Sequence, residues 1–157
     1  MKKIITIILL LSALIISCAS GGSSTGGRNM PNFSDVADRE WRLVEAYIDG
    51  VDMRFRRENQ PEMFREIYIL KFEGQFASGI GAPNLYSAPF TLGEDLAISI
   101  MPMRSTLMAS LFEPENLSEQ DFFTFLQNVY TWDLVRNNLI LNARTRDNKQ
   151  VRLVFGQ

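Results

Sequence analysis

The chain reads as a mainly antiparallel β domain of the α+β class, a strongly bent sheet or small open barrel with one helix packed on it. Three observations predict this. Short runs of two-residue alternation recur from Glu40 to the C-terminus. Turn residues punctuate them at Asp49-Gly50, Glu73-Gly74, Asn137-Asn138 and Asp147-Asn148-Lys149. One stretch, after Ser118, has helical spacing. From Asp38 onward about 120 residues remain, which suits one domain able to bury close to two-thirds of its unfolded surface.

The first strand is expected over Glu40–Ile48, with Trp41, Leu43, Glu45 and Tyr47 on one alternating set and the Asp49-Gly50 turn after it. Asp52 to Glu66 follows as a polar insertion that mixes Arg54, Arg56, Arg57 and Arg65 with Met53, Phe55 and Phe64, broken by Pro61. A hairpin comes next: Tyr68, Leu70 and Phe72 share one face, and Phe76, Ser78 and Ile80 continue the period beyond Glu73-Gly74. Asn84–Thr91 is a further strand bent at Pro89, and Leu96–Ile100 another, closed by Pro102, which lacks the donor that a central ladder needs.

The helix begins at Ser118, whose hydroxyl can accept from the amide three residues on, with Asp121 answering back and Leu117 and Phe122 placed as a hydrophobic staple. Phe122, Phe125, Leu126 and Val129 form one apolar stripe, leaving Glu119, Gln120, Thr124, Gln127 and Asn128 to face water. Alternation resumes in Tyr130, Trp132 and Leu134, returns in Leu139 and Leu141, and ends in Val151, Leu153 and Phe155. The sum is six to eight strands with the helix after about the fifth.

Composition excludes much chemistry. There is no histidine, and Cys18 is the sole cysteine. No imidazole is available as general base, no cysteine–histidine pair exists, and zinc sites built from those residues cannot be assembled. No metal, cofactor or catalytic residue is expected. Acid pairs such as Glu94-Asp95, and Glu113 with Glu115, lie beside Gly93 and Pro114 and read as solvated turn residues.

The N-terminus is more specific. Lys2 and Lys3 precede an apolar run, Ile4 to Ile16, that is shorter than the roughly 20 residues a spanning helix needs. The string Ile15-Ile16-Ser17-Cys18 resembles the bacterial lipobox, so residues 1–17 are expected to be a cleaved signal and Cys18 a lipidation site. Residues 18–37, rich in Gly and Ser, are expected to be a flexible tether, with the domain at 38–157. Ala19 after the cysteine, rather than Asp, points to the outer membrane under the enteric sorting rule. Without residues 1–17 the chain has 14 Lys and Arg, since Lys2 and Lys3 leave the total of 16, against 18 Asp and Glu. That acidic balance disfavours a nucleic-acid partner.

Gly79-Ile80-Gly81-Ala82-Pro83-Asn84-Leu85-Tyr86, then Thr106-Leu107-Met108-Ala109-Ser110, together with the opening Trp41-Arg42-Leu43, resemble the META domain, the HslJ-like family of bacterial envelope lipoproteins. The resemblance covers about Glu40 to Phe155. It implies an envelope setting with heat-shock and drug-tolerance associations, and no reaction. Relatives often carry cysteines where this chain has Pro83 and Ser110; if those pair, both are absent here together. Trp41, Gly81, Asn84, Tyr86, Thr106, Met108 and Ala109 are the family positions and read chiefly as structural. For Asn84 the alternative is a ligand contact, and Met108 reads as a packed side chain. Arg54, Arg56 and Arg57 are candidate contacts for an anionic surface. The expected partners are the membrane through lipid on Cys18, and an envelope protein or else a small apolar ligand in the barrel mouth. Inhibition of a hydrolase through the arginine loop is a third reading.

Overall fold

Strand pairing here is antiparallel throughout and mostly between sequence neighbours. A computed structural model describes residues 30–55, 57–59, 61–62, 65–109, 114 and 116–157. Cys18, the signal segment, the tether as far as 29, Arg56 and Ser110 lie outside the described residues. The strands are β1 (Glu40–Ile48), β2 (Val51–Asp52), β3 (Ile69–Glu73), β4 (Phe76–Ile80), β5 (Leu85–Leu92), β6 (Ile98–Ile100), β7 (Arg104–Ser105), β8 (Val129–Val135), β9 (Asn138–Arg144) and β10 (Gln150–Gly156), with helix α1 (Glu119–Gln127) between β7 and β8. The two-residue pieces β2 and β7 account for the excess over eight, being too short to leave an alternating pattern.

The order β6-β5-β4-β3-β1-β10-β9-β8 brings the two ends of the sheet round to each other. There Ala97 bridges Thr131, and the Trp132 amide donates to Leu96 O at 3.0 Å. The sheet is thus a nearly closed barrel. Its hairpins use the turns that a right-handed twist favours: Asp49 and Gly50, then Arg136 and Asn137, both have two successive positive φ angles.

Side chains fill the interior. Trp41, Leu43, Leu70, Phe72, Leu139, Leu141, Leu153 and Phe155 are fully buried, each large apolar side chain contributing about 1.5–3 kcal/mol on burial. Helix α1 sets Phe122 among Tyr68, Tyr86 and Phe155, with ring centroids 4.7, 6.0 and 6.5 Å away. Ser118 Oγ accepts from the Asp121 amide at 3.1 Å and donates to the Asp121 carboxylate at 2.7 Å. Phe123, outside the expected stripe, is also buried and lies edge-on to Tyr86 at 5.3 Å.

Two bulges change the expected faces. Between Leu43 and Glu45 the register of β1 slips by one residue, so Ala46 faces the core while Glu45 and Tyr47 move outside, the Tyr47 hydroxyl donating to Glu45 at 2.8 Å. A second slip between Val129 and Thr131 puts Val129 and Trp132 inside and Tyr130 outside. The folded body also begins before Asp38. Val36 is fully buried and accepts from Trp41 Nε1 at 2.8 Å, and Phe33 lies edge-on to Phe72 and Trp132 at 5.2 and 5.1 Å. Such packing offsets the ordering cost of a few residues, about 1–2 kcal/mol each, so residues 33–37 belong with the domain rather than the tether.

Candidate functional site

Of the family positions, Gly81, Asn84, Thr106 and Met108 converge where the β4–β5 connection meets the segment after β7 and the first turn of α1. Asn84, only 6% exposed, is the buried polar residue at its centre. Its Oδ1 accepts from the Met108 amide at 2.7 Å and from Thr106 Oγ1 at 2.9 Å. Its Nδ2 donates to Glu119 Oε2 at 2.6 Å and to Met108 O at 3.1 Å. The side-chain amide therefore makes all four hydrogen bonds open to it, and its orientation is fixed by one N–H partner and one carbonyl partner from the same residue.

Glu119 completes the arrangement from the helix. Its Oε1 accepts from the Asn84 amide at 2.7 Å and from the Ala82 amide, holding the Ala82–Asn84 turn against the helix start. Thr106 Oγ1 accepts from the Leu85 amide at 3.1 Å while the Thr106 amide donates to Leu85 O at 3.0 Å. Sequence reasoning placed Glu119 on the solvent side of the helix. An acid in a first helical turn already has a local reason to be there, the unpaired amides and positive end of the helix, and nothing in linear spacing ties it to Asn84.

The glycines explain how the elements come so close. A Cβ on Gly81 would lie 2.5 Å from Glu119 Oε1 and 2.7 Å from Phe123 Cζ. On Gly79 it would lie 1.9 Å from Ile69 O. Tyr86 crosses the same space to donate from its hydroxyl to Ile69 O at 2.9 Å, and burial raises its phenol well above the ordinary tyrosine range. Trp41 sits in the core, its indole N–H on Val36 O.

Met108 differs from the expectation of a packed side chain: its backbone N–H and C=O enter the Asn84 network while its side chain is 52% exposed. Ala109 is exposed. Pro83 sits inside the turn, and Ser110, the other position at which the resemblance implies a cysteine in relatives, lies outside the described residues.

The structure separates the arginines. Arg54 is exposed, with positive φ and its amide on Asp52 Oδ1 at 2.7 Å. Arg57 turns inward and donates to Leu43 O at 3.1 Å, Ile67 O at 2.6 Å and Arg65 O. Burial, then the nearby Arg42 charge, lowers Arg57 from the usual guanidinium range. Arg42 itself bridges Glu66 and Glu40 at 2.7 and 2.6 Å; the Glu66 bond raises Arg42 and lowers Glu66.

Among the described residues, no three His, Cys, Asp or Glu side chains converge on one point, and no helix is long and apolar enough to cross a membrane. None of their buried side-chain nitrogens or oxygens lacks a partner. In the Asn84 cluster the Asn84 amide is fully engaged within the protein, and Glu119 and Thr106 each bond to it.

The META domain family model matches residues 34–155. The chain belongs to the META domain family. Its barrel is similar to a solved protein from Burkholderia xenovorans, 16% identical, with a TM-score of 0.55 over 78% of this chain and 84% of that one. It is similar as well to a DUF4847 family protein from Bacteroides vulgatus, 14% identical, with a TM-score of 0.52 over 78% and 95%. At those identities the likeness is one of fold. No curated protein matches the chain. In this META domain Gly81, Asn84, Thr106 and Met108, with Glu119, knit the β4–β5 turn, the post-β7 segment and α1 together.

Proposed function

We propose that the protein is a lipid-anchored, non-catalytic envelope lipoprotein whose META domain contacts another envelope component in support of envelope integrity or stress tolerance. The observation that carries this reading is the saturated Asn84 network, in which the family motif binds the protein's own backbone and so leaves the outer surface to do the work. Ile15-Ile16-Ser17-Cys18 supports the anchor, and the absence of histidine supports a role without turnover. The side-chain-filled interior favours contact over carriage of a small apolar ligand. Arg57, held by backbone carbonyls, disfavours hydrolase inhibition through the arginine loop.

The outer face of β1, β10, β9 and β8 fits a polar partner. Its register lines Tyr47, Arg152, Asn142 and Thr131 across four strands. The test is palmitate labelling with fractionation, combined with a photo-reactive residue at Arg152 in intact cells. Wild type should label and sediment with envelope, Cys18→Ser should remain an unlabelled, uncleaved precursor, and the position-152 probe should capture a discrete envelope component. A native protein recovered soluble and unacylated, or one that turns over a substrate, would overturn the reading.

A further inference from the structure

The apolar side of the barrel has no assigned role. Of the nine large hydrophobic residues exposed among the described residues, five gather on the outside of β4 and β5 and the chain on either side of β7: Phe76, Leu85, Met101, Leu107 and Met108. Leu107 is 98% exposed, and Leu85 and Phe76 are 55% and 51%. Outward-facing pairs set the pattern. Phe76 lies opposite Pro89 and Ile80 opposite Leu85, with Ser78 and Ser87 between them. They form two apolar groups, Phe76 with Pro89 and Met101, and Leu85 with Ile80, Leu107 and Met108, on either side of the Ser78–Ser87 pair, and exposed side chains grouped in this way mark an interaction surface.

We propose that this face docks on the anionic phospholipid surface of the membrane that holds the Cys18 lipid, a proposal that rests on the anchored reading above. Charge favours that occupant. Arg104 lies beside Ser87 in the register and, with Phe76, Pro89 and Met101, lines a groove of about 490 Å³ that no acidic residue lines. Lys71 continues the same row across from Ser78, with Glu73 at 3.0 Å and Glu40 opposite it on β1, so its charge is already matched. Arg104, in a groove without an acid, can meet phosphate while the aliphatic and aromatic groups on either side of the row enter the headgroup layer. Shape favours it too: the outside of a barrel is convex, and a bilayer deforms to meet it where a protein would need a matching hollow.

Reach permits it. About 14 residues separate Cys18 from Asn32, where the described fold begins, and a chain of that length extends at most about 50 Å. With the apolar side on the bilayer, the Tyr47–Arg152–Asn142–Thr131 row lies on another part of the barrel wall, open to a partner.

The test uses the acylated mature protein on phosphatidylethanolamine–phosphatidylglycerol vesicles with brominated acyl chains. Trp41 and Trp132 are buried and give a constant background, so Leu107→Trp and Tyr130→Trp report the two sides. Quenching of the position-107 tryptophan at least twofold beyond the parent, without added quenching at 130, is expected. Arg104→Glu should weaken binding of the unacylated chain of residues 18–157 with Cys18→Ser, which lacks the apolar signal, to the same vesicles roughly fivefold. Phe76→Ser with Leu107→Ser should weaken it about tenfold. An unquenched tryptophan at 107, including one covered by a protein instead, or equal quenching at both positions, would overturn the docking. Mass analysis of native protein reads acylation separately, so failure of the anchor and failure of the docking are different results.

Discussion

Two regions separated by little more than the thickness of a strand use the same stretch of sequence in opposite ways. Inside the wall, Gly79, Gly81, Asn84, Tyr86 and the backbone of Met108 are closed upon one another and upon Glu119. Outside it, Leu107 and much of Leu85 and of the Met108 side chain face water. Residues that look like a ligand site are used up by the fold, whereas those free to meet another molecule are apolar neighbours that carry no chemical motif. Substitution should therefore divide cleanly: inner changes lower stability, and outer changes lower binding alone.

Gly79→Ala should break the inner region most severely. Its Cβ would run into Ile69 O, which is backbone, so β3 and β4 must separate; the loss should be about 3 kcal/mol or more by urea unfolding. Glu119→Gln should cost less, about 1–2 kcal/mol, since one oxygen can still serve the Ala82 and Asn84 amides while the new NH2 opposes Asn84 Nδ2. A fully retained melting temperature would mean that the charge at Glu119 does not organise the turn.

Tyr86→Phe sharpens the comparison through pH. It removes the bond to Ile69 O, a loss of about 1 kcal/mol. Burial raises the folded phenol above its unfolded value of about 10, so above that pH the folded state holds more protons than the unfolded one and stability falls as pH rises. Wild type should lose stability more steeply than Tyr86→Phe above about pH 10, with the two curves running parallel below it. The smallest stability change belongs to the outer region: Leu107→Ser should stay within about 0.5 kcal/mol of wild type because that side chain faces solvent already.

Much of this architecture is legible in the sequence. Glu40–Ile48, the closing Val151–Leu153–Phe155 alternation and the Ser118 cap stand in the structure where the pattern puts them. The bulges are not legible, because a one-residue insertion exchanges faces without changing composition: Tyr47 and Tyr130 are as apolar as core residues and only the slipped register turns them outward. Strand β7, Arg104–Ser105, has no apolar residue to reveal it and is held by pairing to Tyr86 and Ser87. The candidate site was half legible. Asn84 and Thr106 stand out as a motif, but their contact spans 22 positions, and that from Asn84 to Glu119 spans 35, distances at which spacing carries no information.

Urea unfolding of Asn84→Ala tests most directly whether the motif is internal architecture. The substitution leaves the Met108 amide and the Thr106 hydroxyl without their acceptor and the Glu119 carboxylate without one donor. The midpoint should fall by the equivalent of about 3 kcal/mol at an unchanged slope. A midpoint equal to that of wild type would contradict the account and return Asn84 to the surface chemistry of a binding site.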